Sequence, residues 1–277
     1  VALAWTAWLL RRHLSGDRGG ALPGGGSSSG DARARAGRDP ADWTLLALLP
    51  LLYAELPLLM EAPPGPVRYR DAAVSALEAA LFAGQPAFEW AAALPVGVVS
   101  EVLHLGYLCY YPLIYVPPAL LWLGVTGPRD LGERRRALDQ TLLAVGGAML
   151  LAFAVMIAWP VQGPRYLGTP AGVPGGPVRS LVLAILDAGS SRGAAFPSSH
   201  VSVAVAQTLL ALRWQPRVGV GAAAVTVLLG LGAVYGGFHY LVDVLAGAGL
   251  GLAVGVAVLA WRPGPAAREI GRASCRE

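Results

Sequence analysis

Two short stretches concentrate the residues able to do nucleophilic or acid–base work. The first is Ala195-Phe196-Pro197-Ser198-Ser199-His200, which ends a Gly/Ser-rich loop and starts an apolar run. The second is Gly236-Gly237-Phe238-His239-Tyr240-Leu241-Val242-Asp243, which also opens an apolar run. His239 and Asp243 are four residues apart at a helix start, so their side chains share one face. The carboxylate is then placed to accept one imidazole N–H and leave the other ring nitrogen as nucleophile or base.

His200 opens the preceding helix, and Pro197 suits its first position. The backbone N–H groups of Ser198, Ser199 and His200 are then expected to be unpaired and to point outward, a geometry that binds anions. Ser198 and Ser199 add hydroxyl donors. Arg165, after Gly163-Pro164, offers a planar fork for phosphate oxygens, and Arg192, in Ser190-Ser191-Arg192-Gly193, is the second candidate for that role. An anion site flanked by two histidines suggests a phosphate ester. The competing readings make each histidine a hydrogen-bonded interfacial residue and Arg165 a headgroup anchor. Glu101 and His104, with Tyr107 or Tyr111, form a polar stripe that either supports the site or joins helices as polar glue.

The elements that position these residues are apolar. Of 277 residues 55% are hydrophobic and 14% charged, and the mean hydropathy is +0.54. That is too much apolar surface for one soluble core, so the fold class is all-α, a polytopic membrane helix bundle. All 21 basic residues are arginine, which removes lysine Schiff-base chemistry. The net charge of +4 is dispersed over loops, against a nucleic-acid partner. Cys109 and Cys275 offer at most one disulfide, and none is expected.

Three regions are expected. Residues 1–42 are a truncated hydrophobic segment followed by a flexible cytoplasmic linker centred on Gly24-Gly25-Gly26-Ser27-Ser28-Ser29. Residues 43–261 are the transmembrane catalytic domain. Residues 262–277 are a tail whose last nine residues are polar, unpatterned and back-translate into a common sequencing adapter; they are read as an artefact. Apolar runs at 43–60, 98–125, 142–161, 201–214, 218–235 and 241–261 give about six spans. The first is kinked at Pro50 and Pro57, and the second is bent by Pro112, Pro117 and Pro118. Residues 71–82 form an amphipathic helix at the interface.

If the spans alternate, one side receives the linker arginines, Arg129, Arg134, Arg135, Arg136, Arg213, Arg217 and the tail. The other receives Arg68, Arg70, Arg165, Arg179 and Arg192. The richer side is cytoplasmic. His200 and His239 then meet at the outer face.

The pair AFPSSH and HYLVD resembles the second and third motifs of the type 2 phosphatidic acid phosphatase (PAP2) superfamily, which includes lipid phosphatases and inositol-phosphoceramide synthase-like phosphotransferases. The resemblance implies that His239 is the nucleophile and forms a phospho-histidine. It makes Asp243 the group that orients His239, and His200 the donor to the leaving oxygen and activator of the acceptor. Neither metal nor cofactor is implied. The substrate would be a phosphorylated lipid or isoprenoid, and the location a bacterial cytoplasmic membrane with an extracytoplasmic site. The pattern is incomplete: the first motif, K-x6-R-P, has only Pro160-Val161-Gln162-Gly163-Pro164-Arg165-Tyr166 at its place, and the Ser-Arg before the third-motif histidine falls on Gly232-Ala233. This resembles the phosphotransferase branch. Water as acceptor makes a phosphatase; a lipid or inositol hydroxyl makes a phosphotransferase. Rival readings are a transporter or channel and a metal site on His200, His239 and Asp243.

Overall fold

A computed structural model describes residues 39–61, 65–168 and 172–261. The apolar segment at the start, most of the linker, and the tail with Cys275 lie outside the described residues. A 3-10 turn at Pro40–Trp43 leads into ten α-helices: α1 Thr44–Glu61, α2 Asp71–Phe82, α3 Pro86–Ala93, α4 Gly97–Leu108, α5 Tyr110–Leu123, α6 Leu131–Ala158, α7 Pro177–Gly189, α8 Ser199–Trp214, α9 Pro216–Tyr235 and α10 Leu241–Ala260.

Among the described residues, four helical segments are long and apolar enough to cross a membrane: Pro40–Glu61, Leu131–Ala158, Pro216–Tyr235 and Leu241–Ala260. They expose Leu51, Leu58, Val220, Val227, Leu245 and Val256, an apolar belt that suits lipid rather than water. The other two expected spans fall on shorter helices. At 1.5 Å per residue α8 is about 24 Å long, short of a hydrocarbon core of about 30 Å. The run at 98–125 is two helices, α4 and α5. It breaks at Cys109, and Pro117 and Pro118 sit inside α5. α3 and α7, both opened by a proline in the first turn, were not visible as apolar runs.

α8 is the hub and packs against α10, α9, α6 and α5. Its faces are lined by small residues, with Ser202, Ala204, Ala206 and Ala211 buried. α10 answers with Gly247, Gly251 and Gly255 at four-residue spacing. A Cβ at Gly247 would collide with the Ser198 carbonyl, and one at Gly251 with the Ser202 carbonyl. The two backbones therefore approach as small residues allow in membrane helices, which fixes the start of α8 against the start of α10. At the opposite end, Arg135 of α6 grips Asp42 through two hydrogen bonds of 2.6 Å and also reaches Asp139 at 2.8 Å. This ties α1 to α6.

Candidate active site

His239 sits in the turn between α9 and α10. The Phe238 and His239 N–H groups both donate to the Ala233 carbonyl, and Gly237 takes a positive φ of 69° to make the turn. The ring is buried, and its Nδ1 donates to the Ala195 carbonyl at 3.0 Å. Asp243 is close but does not make the expected hydrogen bond: its Oδ2 stands 3.6 Å from Nδ1 and instead accepts the Tyr240 N–H at 2.9 Å. The reason is local, because an acid in the first turn of α10 finds an open N–H before it finds the ring. The outcome for the ring is unchanged. Nδ1 holds the proton, and Nε2 is left with its lone pair.

Ala195 belongs to a stitched rim. Its N–H donates to the Val161 carbonyl at 2.9 Å, and the Val161 N–H donates to the Gly193 carbonyl at 3.0 Å. The same loop is held from below by Asp71, whose carboxylate accepts the N–H groups of Gln162 and Gly163 at 3.0 and 2.9 Å. Gly163 has φ +89°, and a Cβ there would press on Ala195 and the Phe238 carbonyl. Arg165 therefore leaves this loop beside both histidines.

His200 lies in the first turn of α8, its ring between Tyr107 (stacked, centroids 5.3 Å) and Tyr110 (4.3 Å), and 6.0 Å from the His239 ring. Its Nδ1 is buried without a hydrogen-bond partner. The helix start differs from expectation. Pro197, preceded by a cis peptide bond, precedes the helix rather than opening it, and Ser198 is the N-cap with Oγ accepting the Val201 N–H at 3.4 Å. The Ser198 N–H is not open either, since it donates to the Asp243 carbonyl at 3.0 Å. The close approach of α10 consumes this group. Ser198 is thus engaged as a cap, whereas Ser199 faces a neighbouring cavity.

The histidines and Arg165 share a polar cavity of about 40 Å³, completed by Gln162, Tyr166 and Tyr53. Arg165 donates to Ser190 Oγ at 3.2 Å and pairs with Asp187. Arg192 is off the wall: its Nε donates to Gln162 Oε1 at 2.5 Å, and its guanidinium lies over the Tyr69 and Tyr166 rings. Among the described residues no group of three or more His, Cys, Asp or Glu side chains is arranged to hold a metal ion.

A family model of the PAP2 superfamily matches residues 72–258. The chain belongs to the PAP2 superfamily. It is a membrane-embedded phosphoesterase of that type. The chain is also similar to a solved structure described as the first transmembrane PAP2 type phosphatidylglycerolphosphate phosphatase from Bacillus subtilis. The identity is 21%, the TM-score 0.39, and the match covers 78% of this chain and 94% of that one. No curated protein matches.

In this PAP2 protein the polar stripe on α4 stands behind the site. Glu101 caps α7 by accepting the Val178 and Arg179 N–H groups at 2.8 and 3.1 Å. His104 is buried, bonded through Nδ1 to the Ser100 carbonyl at 2.6 Å, and edge-on to Phe238, the neighbour of His239. Neither lines the polar cavity. Residues the motifs did not announce are Tyr53, Tyr110, Asp71 and Glu78; Ala195 stands in the AFPSSH motif, but the role of its carbonyl was not foreseen. For Asp71 and Glu78 a signal existed: seven residues apart, they share the face of α2 that also buries Val74. A carboxylate pair on the apolar face of an interfacial helix requires partners inside the protein.

Proposed function

We propose that the protein is a metal-independent lipid phosphate phosphatase working at the extracytoplasmic face through a phospho-histidine. The observation that carries this reading is that His200 lines two adjoining cavities, which share Tyr53, Leu186 and Ser190. One is the polar cavity with His239 and Arg165. The other is a cavity of about 450 Å³ lined by Tyr53, Tyr110, Tyr111, Tyr115 and Leu186 among mainly apolar neighbours. A phosphate in the first and a hydrocarbon chain in the second put the ester oxygen beside His200.

The His239 Nε2 lone pair attacks phosphorus, the N–P bond forms and the P–O bond to the lipid breaks. His200 gives its proton to the departing alkoxide and then takes one from water as the N–P bond is cleaved. Arg165 balances charge on the non-bridging oxygens. The arginine distribution supports the outer face, as the Arg135–Asp42 clamp lies at the arginine-rich end of the bundle.

The test is phosphate release from a panel of lipid phosphates and pyrophosphates in detergent with EDTA, comparing the intact protein with His239→Ala. Release that survives EDTA and disappears in the variant is expected; equal release from both proteins would falsify the assignment. A second reading, head-group phosphotransfer, is favoured by Gly232-Ala233 in place of Ser-Arg and by the absence of lysine. It is distinguished by adding inositol or a lipid alcohol and measuring transfer against release.

A further inference from the structure

Helix α2 places Asp71 and Glu78 under the catalytic loops, and only Asp71 has its work accounted for by the rim. Glu78 is wholly buried, its Oε2 accepting the Val242 N–H at 3.3 Å and its Oε1 without a partner. Val242 is the second residue of α10 and lies between His239 and Asp243 in the chain. The first turn of a helix has N–H groups that no internal carbonyl can reach, and it carries the positive end of the helix dipole. Here two carboxylates divide them: Asp243 takes the Tyr240 N–H from within, and Glu78 takes the Val242 N–H from another helix.

That division has a consequence for His239. An acid in the third position of a helix reaches back to the N–H of the capping residue, here Tyr240. The Glu78 bond to Val242 holds the same first turn from outside, and with it the Asp243 carboxylate, 3.6 Å from the His239 ring nitrogen. We propose that Glu78 is a positioning residue for the His239–Asp243 pair, capping α10 from outside so that Asp243 keeps its place beside the nucleophile. This rests on the reading of His239 as the nucleophile. Burial pushes the Glu78 carboxyl up, with the Val242 N–H opposing it and the charge of Asp243 adding to it. The capping oxygen is an acceptor in either protonation state, so the contact depends on the oxygen rather than on the charge.

The experiment compares Glu78→Ala, Glu78→Gln and Val74→Ala in the full chain in detergent, with two readouts: kcat and KM for phosphate release, and hydrogen exchange at the Val242 amide. Val74 is buried on the same face but caps nothing, so it reports the cost of loosening α2 alone. Glu78→Ala is expected to lower kcat on the order of a hundredfold with KM within about threefold, since a small displacement of the reacting pair is enough. It should also speed exchange at Val242. Glu78→Gln keeps an oxygen for Val242 and should restore both readouts most of the way. Loss of kcat in Glu78→Ala no greater than in Val74→Ala, or exchange at Val242 that ignores Glu78, overturns the proposal. If the intact protein releases no phosphate while Val242 exchange still depends on the Glu78 oxygen, the catalytic reading fails and the cap stands as a structural device only.

Discussion

The proton on His239 Nδ1 is held by the carbonyl of Ala195, at 3.0 Å, and not by a side chain. Asp243 stands further off at 3.6 Å, tied to the Tyr240 N–H. A main-chain acceptor fixes the ring's tautomer whatever happens to the carboxylate, which separates orientation from electrostatic support.

Asp243→Asn should therefore cost less than where a carboxylate alone holds the imidazole. Loss of that kind reaches about 10⁴-fold in the serine protease triad. Here the tautomer survives, and a fall on the order of a hundredfold in kcat is expected, with His239→Ala inactive. Steady-state rates of phosphate release for both variants check this.

Replacing His200 should affect only the departure of the lipid oxygen and the later activation of water. With an alkyl phosphate, His200→Ala is expected to lose about 10²–10⁴-fold, the usual share of a general acid. With a nitrophenyl phosphate, whose leaving oxygen needs no proton, the first step should recover, and a burst of nitrophenol followed by slow turnover should appear. Equal loss on both substrates would place His200 elsewhere in the reaction.

Arg165 and Arg192 should separate cleanly. Arg165 reaches the polar cavity and Arg192 does not. Arg165→Lys keeps the charge but loses the fork, and should cost on the order of a hundredfold in kcat/KM. For Arg192→Ala a change within about threefold is expected, as for other surface cations.

The α8–α10 seam gives a stability prediction. Gly251→Leu forces a side chain onto the Ser202 carbonyl and should cost about 3 kcal/mol or more, at the upper end of overpacking. Gly249→Ala, with nothing within 4 Å of the added carbon, should be neutral or gain up to about 1 kcal/mol from helix propensity. Thermal unfolding in detergent reads both.

Stability should also carry the mark of Glu78. Its folded pKa lies above the ordinary 4.5, so the unfolded chain ionises first. The contribution of Glu78 is complete below that ordinary value and is lost as pH rises through the raised one. The melting temperature of the intact protein relative to Glu78→Gln should fall across that window and level off above it.

Much of the bundle was legible because the long helices are long apolar runs; α9 and α10 begin within two residues of their expected starts. The break at Cys109 was legible only as a bend: Pro112 has no N–H to give the Leu108 carbonyl, at which α4 ends, but that the bend would divide the run into two helices was not visible. α7 hid in a stretch rich in Gly and Pro. In the site, His239, His200 and Arg165 were visible by residue type and come together at one cavity. The role of Ala195 was invisible for a physical reason: a carbonyl that every residue possesses carries no compositional signal. Ser198 misled in a related way, its N–H being taken by a neighbour that only the glycine seam brings within reach.

The join between Val161 and Ala195 is made by backbone atoms, while the side chains of Val161 and Ala194 beside it are buried in the core. The loop in the place of the lysine-bearing motif is therefore anchored twice, by main chain and by core. The nucleophile takes its acceptor from a wall of the fold, not from an arm laid over it.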